Sequence, residues 1–476
     1  MSSDTTQPAL AAAELQQQLA AYFAARHPAD VTVTGLAIRR QWCDPGKDAT
    51  LLCALTLATA AQERHEQQYV GRVLRNKEVE DELRAALKKA EEKPAFGEAV
   101  IALPRLRLLL YAFPNDPKLR LFTPVKLQEW LAANLGRVWR AAKQDRSWHP
   151  VQVRMEELRY IPGKRFTGRC RVLVTNQAGT TEELRFIVKQ LKDEKAAKKS
   201  YRNLVRLQAS WPETEPGERR FPVRLPRPLA CDERHAAVFL EELPGENLWE
   251  VFLRTGELAL LQQAGALLAQ LHRSRRRVRK RVSRWSEWRE NRPVVAALLR
   301  TFPALRPRLQ RLWREWRAEA KPAHESEVLL HGSFRLNHVF VHHGELALID
   351  LDSLRLGPPA YDVANLISSL YYLESLGQLA AGRRRAIALH FAVGYAAHNG
   401  HRIAAGEFAW YLVSLLINKQ MSKLMAHDHA APGGKIDELL GHAETVWAAS
   451  RALPPAATLL DLLEQPAPCE PAGLPA

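Results

Sequence analysis

The sequence predicts an α+β chain in which two β-rich modules follow one another and a block of helices stands apart from the sheets. Three observations carry that expectation. A segment repeats at an offset of 117 positions, as from Cys53 to Cys170. Each copy reads as a β-hairpin, a further strand, a charged helix and a Pro-flanked strand. Beyond residue 249 the apolar spacing becomes helical. With 476 residues, 46% hydrophobic and 25% charged, the chain has ordinary globular composition and length for two to four packed units.

In order, residues 9 to 26 form an amphipathic helix with Leu15, Leu19, Tyr22 and Phe23 on one face. "DPGKDATLLCALTL" (44–57) aligns with "IPGKRFTGRCRVLV" (161–174), matching Pro45 to Pro162, Gly46 to Gly163, Lys47 to Lys164, Thr50 to Thr167 and Cys53 to Cys170. The same offset pairs "YVGRVL" (69–74) with "FIVKQL" (186–191). Charged helical stretches follow at 77–91 and 193–209, then strands ending in "LLLYAFPNDPKL" (108–119) and "AVFLEELPGENL" (237–248). Between the copies, "TPVKLQEWLAANL" reads as a helix with Thr123 as N-cap and Pro124 in its first turn. Later helices are expected at 258–271, 293–317, 360–376, 380–399 and 406–426, with a Pro/Ala tail at the end. The expected divisions are an N-terminal helix (1–30), a first module (31–134), a basic linker (135–149), a second module (150–245), a helical block (246–452) and a tail (453–476).

The excess of 68 Lys+Arg over 52 Asp+Glu gives a net charge of +16, which favours anionic partners. The densest basic run, Arg273 to Arg284, has no interleaved aromatic residues for base stacking. It reads as a solvated helix end rather than a nucleic-acid site. Five dispersed cysteines (Cys43, Cys53, Cys170, Cys231, Cys469) lack CxxC spacing, as expected of reduced thiols and not of a disulfide framework or zinc site. Asp4 and Glu14 are out of place in a signal peptide, and no apolar run reaches about 18 residues. A cytoplasmic protein without a membrane span is expected. "HDH" at 427–429 reads as a loop rather than a metal clip. Trp285, Trp288, Trp313 and Trp316 recur at helical spacing and read as core or groove lining.

The chemistry is concentrated in "HGSFRLNHVFV" (331–341) and "LIDLDSLRLGPPAYDVANL" (348–366). His331-Gly332-Ser333, His338, Ile349-Asp350 and Gly357-Pro358-Pro359-Ala360-Tyr361-Asp362-Val363-Ala364 resemble the signature of the aminoglycoside phosphotransferase and choline kinase group, relatives of protein kinases. The resemblance runs from residue 150 to near residue 450. It implies a bilobal protein-kinase-like fold, the second module being the β-rich N-lobe and the helical block the C-lobe, with the first module an added N-lobe-like copy. It also implies ATP and Mg²⁺ as cofactors and a small-molecule acceptor hydroxyl.

The resemblance makes Asp350 the principal metal ligand, His331 part of the catalytic loop and Asp362 its structural anchor; Asp352, two residues on, would share the face of Asp350 if the strand continued and is the second-choice ligand. Lys189, an inward charge on an apolar strand, would contact the nucleotide phosphates. A lysine flanked that way is costly to bury without an anion. Gly163 and Gly168 lie in the hairpin that would cover those phosphates. "FLEELPG", with Glu241 and Glu242, would offer its backbone to the adenine edge, and Glu194 is the acid nearest to Lys189 along the chain. Two positions depart from the family. Ser333 stands where the general base Asp is expected, and His338 where the second metal ligand Asn is expected, with Asn337 one position early. A serine hydroxyl orients a substrate but does not take its proton at neutral pH, and imidazole is a poor Mg²⁺ ligand. Two readings follow: a phosphotransferase acting on a neutral or anionic metabolite such as a sugar, phosphosugar or lipid headgroup, or a pseudokinase that binds nucleotide or a protein partner through the extra module. In the first module Arg72 stands at the position of Lys189 and no helical block follows directly.

Overall fold

The computed structural model describes residues 12–465 except 28–30, 43–47, 60, 62, 76–77, 95, 210, 212–222, 275–277, 322–325, 381, 399–400 and 427–431. The matched tripeptide at 45–47, Cys43, Cys469 and the "HDH" of 427–429 lie outside the described residues. The chain divides into a β-rich unit of residues 1–202 and 227–242 and a mainly helical unit of 203–226, 243–425 and 429–476. The α+β class with segregated helices is what the structure shows.

The first unit opens with helix α1 (Ala12–Arg26) and strands β1 (Val31–Trp42), β2 (Ala49–Thr59) and β3 (Arg64–Val73). Helix α2 (Val79–Leu87), β4 (Val100–Leu103) and β5 (Leu108–Ala112) complete the first module. Helices α3 (Pro124–Val138) and α4 (Ala141–Gln144) lead into β6 (His149–Ile161), β7 (Arg165–Thr175) and β8 (Thr181–Leu191). Helix α5 (Glu194–Ala209), β10 (Pro228–Asp232) and β11 (Ala237–Glu241) follow, while the end of α5 and the short β9 (Val223–Arg224) fall in the second unit. The segment expected to be a linker thus holds the end of α3 and all of α4.

The two five-stranded sheets have the same topology, β1-β2-β3-β5-β4 in one and β6-β7-β8-β11-β10 in the other. Their registers also coincide, except that the second bulge of β6 falls two positions later than that of β1. Cys53 faces Ile38 and Tyr69, and Cys170 faces Met155 and Phe186. Arg72 faces Leu109 as Lys189 faces Val238. A bulge falls between Val33 and Gly35 in β1 and between Pro150 and Gln152 in β6. Bulges are specific features of a strand pair, so their agreement at the sequence offset supports one module present twice. Both matched cysteines are buried, and burial pushes each thiol up to about 12.

Continuous apolar runs such as "LLLYA" in β5 imply strands covered on both faces. Leu108, Leu110 and Ala112 join Leu51, Cys53, Leu55 and Tyr69 in a core closed by Leu15, Leu19 and Phe23 of α1. The alternate residues Leu109 and Tyr111 enter a second core with Leu127 and Leu131 of α3 and Phe166, Phe186 and Phe239 of the second sheet. Thr123 caps α3 by accepting from Lys126 N at 3.2 Å. Trp130 of α3 lies flat on Phe239, ring centroids 4.3 Å apart. The buried Gln190 of β8 joins the copies by accepting from Phe122 N (2.8 Å) and donating to Arg120 O (2.6 Å).

The second unit contains β12 (Glu246–Asn247), α6 (Leu248–Thr255), α7 (Leu258–His272), α8 (Arg284–Thr301), α9 (Arg306–Ala318) and β13 (Val328–Leu330). The loop bearing Ser333 comes next, followed by β14 (Val339–His342), β15 (Glu345–Leu348) and β16 (Arg355–Gly357). Helices α10 (Ala360–Ser375), α11 (Arg383–Ala397), α12 (Ala405–Leu415), α13 (Ser422–Ala426), α14 (Pro432–Ala452) and α15 (Leu459–Glu464) complete it. A π-helical turn, Leu416–Met421, links α12 to α13. Helices α7 and α11 cross backbone to backbone: a methyl group at Gly265 would lie 2.2 Å from Phe391 O. This close approach is possible only without a Cβ at the crossing.

The periodic tryptophans pack in one row that runs from the exposed Trp285 to the fully buried Trp316. Trp285, Trp288, Trp313 and Trp316 follow one another at ring distances of 4.8, 6.0 and 5.3 Å, and Trp410 of α12 stacks on Trp316 at 4.5 Å. The last pair exchange hydrogen bonds from indole N–H to backbone carbonyl. Among the described residues no helix is long and apolar enough to cross a membrane.

Candidate functional site

The segment 331–362 forms a loop and strand arrangement anchored by a fully buried carboxylate. Asp362, in the first turn of α10, accepts from His331 N at 2.6 Å and from Gly332 N at 2.8 Å. His272 at the end of α7 reaches it from another side, Nε2 to Oδ2 at 3.3 Å, and its other ring nitrogen meets the Tyr395 hydroxyl at 2.8 Å. Burial pushes the Asp362 carboxyl up, but His272, His331 and the Gly332 N–H outweigh it and leave the group below the usual carboxylate range. Gly332 has φ +79°, and a Cβ there would sit 2.3 Å from Ser353 O, so the loop requires glycine.

The sequence places His331 in the loop; the structure adds that its ring is buried, with Nε2 3.0 Å from Ile349 O. Ser333 Oγ lies 3.4 Å from His331 Nδ1. His338 stacks on His331 at 5.3 Å, and its Nε2 is 3.6 Å from Asp350 Oδ2, beyond hydrogen-bond reach. Asn337 is exposed, and its carbonyl accepts from the Asn247 side chain at 2.8 Å. Asp350 follows β15 in the left-handed region, φ +61° and ψ +45°, a conformation uncommon outside glycine and most tolerated by Asn and Asp. Strand β15 ends at Leu348 and a 3₁₀ turn occupies Leu351–Ser353. Asp352 therefore does not share a strand face with Asp350, because the chain stops alternating where the turn begins.

Among the described residues no group of three or more His, Cys, Asp or Glu side chains is arranged to hold a metal ion. The residues present fit Mg²⁺ in one manner only. Asp350 would supply one carboxylate, and the remaining oxygens would have to come from ligand phosphates and water, the usual habit of this ion.

In the β-rich unit, Gly163 sits at the turn between β6 and β7 with φ +64°, and its N–H donates to Asp116 Oδ2 at 2.7 Å. Asp116 also accepts from the Tyr160 hydroxyl (2.6 Å) and from Lys118 N and Leu119 N (2.7 Å each). A carboxylate of the first module thus occupies the hairpin tip of the second. Gly168 is inside β7, where a Cβ would meet Phe166 and Met155. Lys189 is on β8, partly exposed. Glu194 forms its ion pair with Lys198 at 2.5 Å. Glu241 accepts from Arg227 and Glu242 pairs with Arg169. At the Lys189 position of the first module, Arg72 is held by Asp48 (2.9 Å) and by Glu82 of α2 (3.4 Å).

Sequence reasoning missed His272, Asp116 and a set of cations, Arg335, Arg355 and Lys419, near the loop. His272 and Lys419 lie outside the motif, one well before it and the other well after. Only helix packing brings them to Asp362 and Asn365.

A loop held by a buried carboxylate is thus followed by an aspartate just past the end of β15. Residues 172–401 match the family model described as "Phosphotransferase enzyme family". No curated protein matches the chain. Solved structures that resemble it include the amicoumacin kinase hAmiN (14% identity, 61% of this chain and 87% of that one, TM-score 0.41). Two others are the aminoglycoside phosphotransferase APH(4)-Ia (13%, 68% and 100%, TM-score 0.43) and the choline kinase LicA from Streptococcus pneumoniae (11%, 67% and 97%, TM-score 0.42).

Proposed function

We propose that the chain is a cytoplasmic, ATP- and Mg²⁺-dependent phosphotransferase acting on a hydroxyl of a small neutral or anionic metabolite. The observation that carries this reading is the loop at His331–Ser333, pinned by Asp362 beside a left-handed Asp350 and lying inside the family match. Bound Mg²⁺ would neutralise charge on the transferring phosphoryl group. Asp350 would hold the ion, and Lys189 would contact the phosphates. Ser333 would orient the acceptor hydroxyl by hydrogen bonding. Because phosphoryl transfer needs little base assistance, a serine there reduces the rate by roughly 10²- to 10⁴-fold without abolishing it. The test is thermal unfolding with a non-hydrolysable ATP analogue, with and without Mg²⁺, followed by turnover of Ser333→Asp. A magnesium-dependent rise in Tm and a faster Ser333→Asp enzyme are expected. No rise with either nucleotide or metal would sink the reading.

One observation favours the pseudokinase alternative, in which the extra module binds a protein partner. The Gly163 N–H, in the hairpin that would cover the phosphates, is already taken by Asp116. If the hairpin must release that carboxylate to receive a nucleotide, Asp116→Ala tightens nucleotide binding about tenfold, the value of one charge-assisted hydrogen bond. Calorimetric titration of both proteins decides. Equal affinities mean that the tie is structural only.

A further inference from the structure

Three cations gather at the catalytic loop where the family has a carboxylate. Lys419 lies on the π-helical turn Leu416–Met421, an irregularity frequent at functional sites. Its Nζ donates to Asn365 Oδ1 at 3.1 Å and lies 6.0 Å from the Tyr361 ring. The Arg355 guanidinium is 5.5 Å from the same ring and donates to Ser353 O and, at 3.5 Å, to the Tyr361 hydroxyl. It also lies against the loop itself, for a Cβ on Gly332 would come within 2.7 Å of Arg355 Nε. Arg335 is two positions beyond Ser333, and its Nε is buried without a hydrogen-bond partner.

None of the three forms an ion pair with a carboxylate among the described residues. The carboxylates near them are engaged elsewhere or held at longer range. Asp362 is saturated by His331, Gly332 and His272. Glu287 accepts from the Ser414 hydroxyl at 2.9 Å, and burial raises its pKa. Asp350 acts on Arg335 through longer-range attraction. Burial, reinforced by Arg335 and Arg355, pulls the Lys419 ammonium down to about 8. Grouped, partly buried cations without counter-charge are costly. The cost is removed by an anion that arrives from outside.

We propose that Lys419, Arg335 and Arg355 form an oxyanion site beside Ser333 that takes a phosphate or carboxylate group carried by the acceptor. The site rests on the phosphotransferase reading for its role, but its existence does not. The acceptor is then a hydroxylated compound already bearing an acidic group, and a cationic acceptor is excluded by like-charge repulsion.

The test uses the full-length protein and inorganic phosphate as probe, with sodium chloride at equal ionic strength as control. Phosphate is expected to raise Tm saturably and chloride not. Lys419→Met is expected to raise Tm without anion, because a buried charge is removed, and to weaken phosphate binding about 10- to 100-fold, the range for a hydrogen bond to a charged group. Arg355→Met provides an independent variant with the same loss of binding. Equal effects of phosphate and chloride, or unchanged phosphate affinity in both variants, overturn the site. Repeating the titration with Mg²⁺ and saturating non-hydrolysable ATP analogue assigns the anion. Simultaneous binding supports the acceptor, and competition overturns that assignment in favour of the nucleotide's terminal phosphate. If phosphate binds while nucleotide gives no shift, the phosphotransferase reading fails and the anion site stands.

Discussion

Asp350→Asn abolishes the magnesium-dependent part of nucleotide binding and lowers phosphoryl transfer on the order of 10³-fold, since one metal ligand is worth several kcal/mol to the transition state. Asparagine is the informative substitution. It keeps the tolerance for φ +61° and the side chain's shape while removing the charge that would hold the ion. Asp350→Ala removes the charge too, but adds about 1–2 kcal/mol of strain, because alanine in the left-handed region crowds its own carbonyl. The two variants should therefore share the loss of magnesium dependence and differ in urea midpoint. Should Asp350→Asn keep the wild-type magnesium-dependent Tm shift, the metal is held elsewhere.

Asp362→Ala should lower unfolding free energy by about 3–5 kcal/mol, the range for removing one member of a buried charged network. Three donors converge on the carboxylate, the His331 and Gly332 amides and the His272 ring, and each would be left unsatisfied in a dry site. The pH dependence has a definite sign. The folded pKa lies below the unfolded one, so the native state holds fewer protons at this group. Its stabilisation is complete above the ordinary carboxylate range near about 4 and disappears as pH falls through the folded value. Urea unfolding of wild type and Asp362→Asn between about pH 3 and 7 measures this, with the difference between them shrinking towards the acid end. A constant difference across that range would mean that Asp362 is not ionised in the fold.

The first module bears on the same chemistry. Arg72 is braced there by Glu82 on the neighbouring helix, whereas at the matching strand position of the second module, the helix that follows Lys189 turns Glu194 to Lys198. Asp116 of the first module meanwhile reaches the hairpin turn of the other copy.

Local pattern and spacing determined a great deal. Alternation and the shared offset pointed to both sheets and to their equivalence, because a slip of one residue would turn Cys53 and Cys170 out of their cores. Helical spacing foretold α7, the tryptophan row and the capped start of α3 at Thr123. Motif spacing singled out Asp350, Asp362 and Ser333 as candidates, since those residues sit on one short stretch of chain. The sequence could not say that β15 ends before Asp352, because a 3₁₀ turn and a strand continuation look alike over three residues. Nor could it place His272, Asp116 or Lys419. Each comes to its partner from a distant segment: His272 by the close crossing of α7 and α11 at Gly265, Asp116 by packing of one module on its copy, and Lys419 by a π-helical turn. Charges separated in sequence carry no periodic signal, and only the packed fold decides which of them share a site and which are left without a counter-ion.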